Sequence, residues 1–566
     1  MRSKTVWNRG RVLIAIWFLF FGSALPLAPG DAREGRNHLA EILRYISSGW
    51  DSLTRSMTRC DSVADTKSAQ KAVLYLPAQM PIPQALEELQ RNCPVRIERL
   101  PSVIVRAGQL DMSQIQQHGL LYLEHPYVVP GGFFNEMYGW DSYFILRGLL
   151  RDGRVGLAQG IVENFFFEIE HYGMILNSNR TYHLTRSQPP FLTAMVLAIH
   201  EAQKAAGRED LAWLARGYAY AAKDYEFWMR EPHLAGSTGL SRYYDFAEGP
   251  APEVLSGAGD YYRYAVRYSL QNRESAGAYL ARTSESERGR TMLGPVFSVY
   301  LCDPQDAAGV KGKCELIENV GLTAEFYKGD RAMRASGFDI SHRFGPLSGS
   351  THHFAPVCLN SLLYKAEKDL ENISSLLGRK ADATKWRERA RQRWERIQRY
   401  FWNADRGMFF DYDFQTGARS NYEYATTFYP LWAGLATPEQ AQAVVRNLGL
   451  FEQPGGLAMS RKETKAQWDH PYGWAPIQLI TFEGLQRYGF QEEANRVAEK
   501  FLSMVLENFH RDRTIREKYN VVTRSSETQV EAGYPENVVG FGWTNGVFLE
   551  LLHALPKDAA DRLAKQ

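Results

Sequence analysis

Residues 130 to 144 read PGGFFNEMYGWDSYF. The Pro-Gly-Gly opening marks a turn. Immediately after it, Glu136 and Asp141 stand among Phe133, Phe134, Tyr138 and Trp140. Flat apolar rings suit the CH faces of a sugar, and carboxylates accept from its hydroxyls and carry protons. The competing reading is the start of a buried aromatic helix, and the stretches that share this texture decide between the two.

Working outward, residues 466–478, AQWDHPYGWAPIQ, place Trp468, Asp469 and Trp474 around a proline turn. Residues 335–344, ASGFDISHRF, set Asp339 between Phe338 and Ile340. A carboxylate among apolar neighbours tends to keep its proton, which is what a general acid needs. Residues 514–520, TIREKYN, offer Glu517 as a base and lead to GYPENVVGFGWTNGVF at 533–548. Taken alone, a glutamate in a charged run is usually a solvated face.

Between these stretches apolar residues recur at helical period over 145–157, 160–172, 192–206, 211–229, 355–377, 383–401, 439–448, 475–488, 491–509 and 545–552. Gly173 closes the second of these runs. Polar loops such as MILNSNRTYHLTRSQPPF separate the runs, and loops on rigid scaffolds concentrate binding groups. Strand-like runs are short and scattered, at 291–300 and 521–524, with no βαβ alternation and no glycine-rich phosphate loop. The rhythm fits a closed ring of helical hairpins; solenoids and irregular bundles obey the same local pattern.

The bulk composition narrows the classes. A net charge of +2 over 566 residues gives no global field for nucleic acid. Aromatic residues make up 13%, which suits a carbohydrate site. Residues 1–30 carry Arg2, Lys4, Arg9 and Arg11, then an apolar run from 12 to 21, and read as an export signal. That reading implies a periplasmic or secreted protein, with an uncleaved N-terminal anchor as the alternative. The five cysteines lack metal-ligand spacing, and an odd number leaves at least one unpaired within the chain. Cys302 and Cys314 are spaced to close a short loop in an oxidising compartment.

PGGFFNEMYGWDSYF and QWDHPYGWAPIQ resemble the two signature stretches of the trehalase family of glycoside hydrolases. The likeness continues through HYGMILNSNRTYHLTRSQPPF, ASGFDISHR, REKYN and GFGWTNGV, spanning most of residues 120–555. It implies an all-α (α/α)6 toroid whose long loops form the site at one end. It also implies inverting hydrolysis of α,α-trehalose, a small disaccharide, with no metal or organic cofactor. Domains follow as a signal at 1–30, an N-terminal extension at 31–120 and a catalytic domain at 121–560. No nucleic-acid partner and no stable transmembrane domain beyond the N-terminal segment are expected, and the oligomeric state is not legible.

By the same resemblance Asp339 is the general acid and Glu517 the general base. Sugar-holding positions carry over to Trp140, Asp141, Asn177, Arg186, Ser187, Gln188, Glu253 and Gly337, with Trp468, Trp474 and Trp543 shaping the pocket. Three positions depart from the family pattern. Phe133 stands where PGGRF has arginine, Ala251 where PRPE has arginine, and Gly533 where a sugar-contacting glutamate is expected; Glu531 is a candidate to compensate. Arginine offers five donors in a fixed fork that a phenyl ring does not replace. Hydrolysis of another α-glucoside or a modified disaccharide is therefore a second reading, and sugar binding without turnover a third.

Overall fold

The computed structural model describes residues 38–64, 71–257, 260–282, 294–302, 314–534 and 536–565. The expected export segment lies outside them. Twelve helices among the described residues organise the chain: α1 His38–Leu53, α2 Asp141–Arg151, α3 Val155–Tyr172, α4 Leu192–Ala205, α5 Leu211–Trp228, α6 Val357–Leu376, α7 Lys380–Tyr400, α8 Tyr429–Trp432, α9 Pro438–Arg446, α10 Ala475–Arg487, α11 Gln491–Asp512 and α12 Gly542–Ala554.

Six of these close a ring, each packing on the next in the order α2, α4, α6, α8, α10, α12 and back to α2. Burial separates this inner set from the outer one. Every residue of α12 from Gly542 to Leu551 is buried, so its sequence is apolar nearly all round. Each fully buried Val, Leu or Phe there contributes about 1.5–3 kcal/mol. By contrast α7 buries a single stripe, Ala383, Trp386, Ala390, Arg393 and Ile397, and turns its charged residues outward. Where α2 meets α12, a Cβ on Gly546 would stand 2.1 Å from the Phe144 carbonyl oxygen. No larger residue lets these two backbones touch.

The sixth outer helix is α1, contributed by the segment ahead of residue 120. It packs on α11 and α12, and Trp50 Nε1 donates to Asp152 Oδ2 at 2.8 Å. Helix bounds differ modestly from the periodicity. The run expected at 145–157 ends at Arg151, because Gly153 turns left-handed at φ +72° and the Arg154 N–H returns to the Leu149 carbonyl at 2.8 Å. Pro438 starts α9 behind a Thr437–Gln440 capping box. Absent from the expected list is the helix Ala324–Ala335, capped by Thr323.

The strands are short. One βαβ unit that periodicity did not reveal pairs β1 Ala72–Leu76 in parallel with β2 Val95–Arg99 and β3 Leu120–Leu121, with the helix Gln84–Asn92 crossing between the first two. β4 Leu280–Arg282 and β5 Phe297–Cys302 flank β6 Cys314–Leu322 antiparallel. Cys302 and Cys314 form a disulfide, as their spacing suggested; Cys60 pairs with Cys93, and Cys358 is free and buried. β7 Tyr472–Trp474 and β8 Lys518–Asn520 pair antiparallel with Trp474 opposite Lys518. This last pair joins the second signature stretch to the REKYN segment.

Candidate active site

The helix Ala324–Ala335 delivers Ser336, Gly337, Phe338 and Asp339 in that order. Gly337 has φ +77°, and a Cβ there would sit 2.8 Å from the Trp140 indole, so glycine lets the acid-bearing loop lie against that ring. The loop is held by three consecutive residues of the second signature. Gln467 Nε2 donates to the Asp339 carbonyl at 2.5 Å, Trp468 N to the Ile340 carbonyl at 3.0 Å, and His342 N to Asp469 Oδ2 at 2.8 Å. The Asp339 side chain keeps 30% of its surface exposed, with Arg334 Nη1 3.7 Å from its carboxylate. Burial pushes its pKa up to about 6, against the pull of Arg334 and Arg186.

Glu517 lies one residue before β8 and is buried. Its backbone is fixed on both sides, N–H to the Val538 carbonyl at 3.1 Å and carbonyl from Trp543 Nε1 at 3.2 Å. Tyr534 Oη donates to Oε1 at 2.6 Å, and Lys518 Nζ lies 3.5 Å from Oε2. Burial raises its pKa, with Lys518 and Tyr534 pulling the other way. Lys518 has its own pKa lowered by burial, and its Nζ stands 4.0 Å over the Tyr534 ring.

Asp339 and Glu517 both act on the charge of Asp141 and of Tyr534. Burial, then the charge of Glu517 and that of Asp339, holds Asp141 well above the usual carboxylate range. Tyr534 is likewise raised by burial and by both carboxylates. Gln467 completes the link, since its Oε1 accepts from Lys518 Nζ at 3.3 Å and from Tyr534 N at 3.4 Å while its Nε2 holds Asp339.

Buried tryptophans pack together beside these residues. Trp140 meets Phe338, Trp468 and Trp543 at centroid distances of 5.5, 5.8 and 5.6 Å. Trp474 lies fully buried behind Trp468, stacked at 3.8 Å. The first signature docks on the Asn/Arg-rich loop: Gly139 N donates to the Asn177 carbonyl at 3.2 Å, Asn177 N to the Arg186 carbonyl at 2.8 Å, and Trp140 N to Gln188 Oε1 at 3.0 Å. Asn177, Arg186, Ser187 and Gln188 are all buried there. Arg186 pairs with Glu253 and hydrogen-bonds His183. Burial would raise the Glu253 pKa, yet Arg186 holds it well below the usual carboxylate range. Glu136, from the opening stretch, is a structural partner of Arg180 at 3.2 Å.

The departures take definite places. Phe133 is 66% exposed, edge-on to Phe134 at 5.6 Å, which in turn meets Tyr138 at 5.6 Å. Ala251 is fully buried, its N–H bound to Tyr262 Oη at 2.7 Å, which leaves no open space for a longer side chain there. Gly533 has φ +141°, and a Cβ would meet the Gln467 side chain at 2.7 Å. Glu531 does not compensate: it turns outward to Lys465 at 2.6 Å with 53% of its side chain exposed. Sequence reasoning missed Arg334, Gln467, Lys518 and Tyr534. Lys518 and Gln467 adjoin residues singled out for their chemistry, whereas Arg334 and Tyr534 carry no local signal.

The trehalase family model matches residues 42–288 and 315–556. A probable trehalase of Saccharomyces cerevisiae is 34% identical over 94% of this chain and 71% of its own length. The cytosolic neutral trehalase of Emericella nidulans is 37% identical over 93% of this chain and 74% of its own. Among solved structures, neutral trehalase Nth1 from Saccharomyces cerevisiae superposes with a TM-score of 0.73 at 32% identity, covering 93% of this chain and 96% of that one. These relatives overturn the expected periplasmic or secreted location, since several that match over 92–93% of this chain are named cytosolic enzymes. No helix among the described residues is long and apolar enough to cross a membrane. With the ring of helices and both signatures in place, the chain belongs to the trehalase family and is a glycoside hydrolase.

Proposed function

We propose that this chain hydrolyses α,α-trehalose to two glucoses with inversion, Asp339 acting as general acid and Glu517 as general base. The observation that carries the reading is the chain of contacts in which Gln467 holds the Asp339 backbone with one end of its amide and, with the other, accepts from Lys518 and Tyr534, both of which touch the Glu517 carboxylate. Asp339, proton-bound up to about pH 6, gives its proton to the glycosidic oxygen. Glu517, oriented by Tyr534, takes a proton from the water that attacks the anomeric carbon from the opposite face. Inversion requires room for that water, which sets the carboxyl groups about 6.5–9.5 Å apart. Arg334, beside Asp339, supplies a cation near the scissile bond where two family arginines are missing. The trehalase names of the relatives support the substrate.

A second reading, another α-glucoside or a modified disaccharide, is favoured by one observation. Exposed Phe133 offers a ring face where the family offers a guanidinium. A substrate panel separates the two.

Steady-state turnover of trehalose by Asp339→Asn and Glu517→Gln tests the assignment. Each is expected to lose roughly 100-fold or more of kcat while remaining folded; near-normal turnover in either overturns it.

A further inference from the structure

A second cluster of chemistry-bearing side chains lies outside the sugar site. Glu325, in the first turn of the helix Ala324–Ala335, meets two adjacent histidines. His352 Nε2 stands 2.7 Å and His353 Nε2 2.8 Å from the same oxygen, Glu325 Oε1. One ligand atom from each of the three residues falls within a 4.8 Å group. The cluster borders a surface cavity of about 260 Å³ that shares no lining residue with the carboxylate pair.

We propose that Glu325, His352 and His353 bind a zinc-class divalent cation, two imidazole nitrogens and one carboxylate oxygen serving as ligands and solvent filling the remaining position. The donor set decides the class of ion. Two of three donors are imidazole, which suits zinc, cobalt or nickel and disfavours calcium and magnesium, whose ligands are oxygen. Metal bonds of about 2.0–2.2 Å in a tetrahedral frame set neighbouring ligand atoms about 3.3 Å apart. The present contacts must therefore open by about half an ångström. Glu325 can yield, with 61% of its side chain exposed, whereas His352 is 7% exposed and its carbonyl is anchored by Arg242 Nη1 at 2.8 Å.

Nearby charge does not forbid a cation. Arg242 and Lys328 face Glu248 and Glu325 in the cavity wall, so the lining is formally neutral. Lys328 is already held by Glu248 at 2.5 Å, and Arg242 lies over the rings of Tyr244 and Phe414 at 4.8 and 5.4 Å. The ion would tie the start of the helix that ends near Asp339 to the turn entering α6. Its role is to brace that helix, separate from the reaction.

Isothermal titration of the metal-free full chain with zinc chloride tests this, alongside Glu325→Gln and His353→Ala, whose side chains reach solvent. One saturable site is expected in the wild type, weakened about tenfold or more in each variant. X-ray absorption of the zinc-loaded wild type should show two imidazoles. Absence of a saturable site overturns the proposal, as do variants that retain circular dichroism and bind zinc as tightly as the wild type.

Discussion

Gln467 donates its side-chain amide to the backbone carbonyl of Asp339 at 2.5 Å. The other end of the same amide accepts from Lys518 and Tyr534, which both touch Glu517. One buried side chain thus ties the Asp339 backbone to the two groups that hold Glu517. Gly533 leaves the room for it, and the glutamate expected at that position would displace it.

Gln467→Ala should therefore misplace the pair without removing either carboxyl group. An ångström of misplacement costs on the order of 100-fold in rate. The expected result is a fall in kcat of about 10- to 100-fold with KM changed much less. An unaltered kcat would remove Gln467 from the machinery.

Arg334 is the strongest charge opposing the raised pKa of Asp339, which stands at about 6. The proposed mechanism needs Asp339 protonated and Glu517 ionised, so the alkaline limb of kcat/KM should fall near pH 6 in the free enzyme. Replacing Arg334 by glutamine withdraws a cation that favours the ionised acid. Asp339 then holds its proton to higher pH, and the alkaline limb should move up. A limb that moves down, or stays fixed while binding weakens, would contradict this coupling.

Arg343, in the acid-bearing stretch, makes a two-pronged pair with Asp411 at 2.7 and 2.6 Å, both residues being buried. Asp411 also accepts from the Val357 N–H at the start of α6. Arg343→Met leaves an unpaired buried carboxylate and should cost about 3–5 kcal/mol in the urea unfolding midpoint analysis.

Phe133 is exposed at the turn where the family carries arginine. Phe133→Arg restores donors without disturbing packing, and kcat/KM on trehalose should rise roughly tenfold, the worth of one charged hydrogen bond. The paired change Ala251→Arg is not expected to help. Ala251 is sealed in, with its N–H engaged by Tyr262, and an arginine there would break the packing.

Much of this was legible in the chain. Helical period placed most of the ring, because the outer helices keep one apolar stripe and the inner ones are apolar over most of their length. Three features escaped it. Helix α8 is only four residues long, too short to show a period. The helix Ala324–Ala335 carries Lys328, Asp330 and Arg331 on buried positions, so its polarity hid it. The helical pattern at 39–46 and an extension packed on the barrel are legible, but not that α1 completes the outer ring, a long-range closure with no local signal. In the candidate site, the motif stretches contain Asp339, Glu517 and the tryptophans packed around Trp140. The link through Gln467 from the Asp339 backbone to the groups that hold Glu517, and the burial of Ala251, depend on contacts between segments remote in sequence.

The central claim is inverting hydrolysis of an α,α-linked disaccharide, and proton NMR of the first glucose released from trehalose tests it most directly. Inversion at one of the two linked carbons is expected to give α- and β-glucose in equal initial amounts, before mutarotation. Release of α-glucose alone would mean retention, and would contradict a water held between Glu517 and the anomeric carbon.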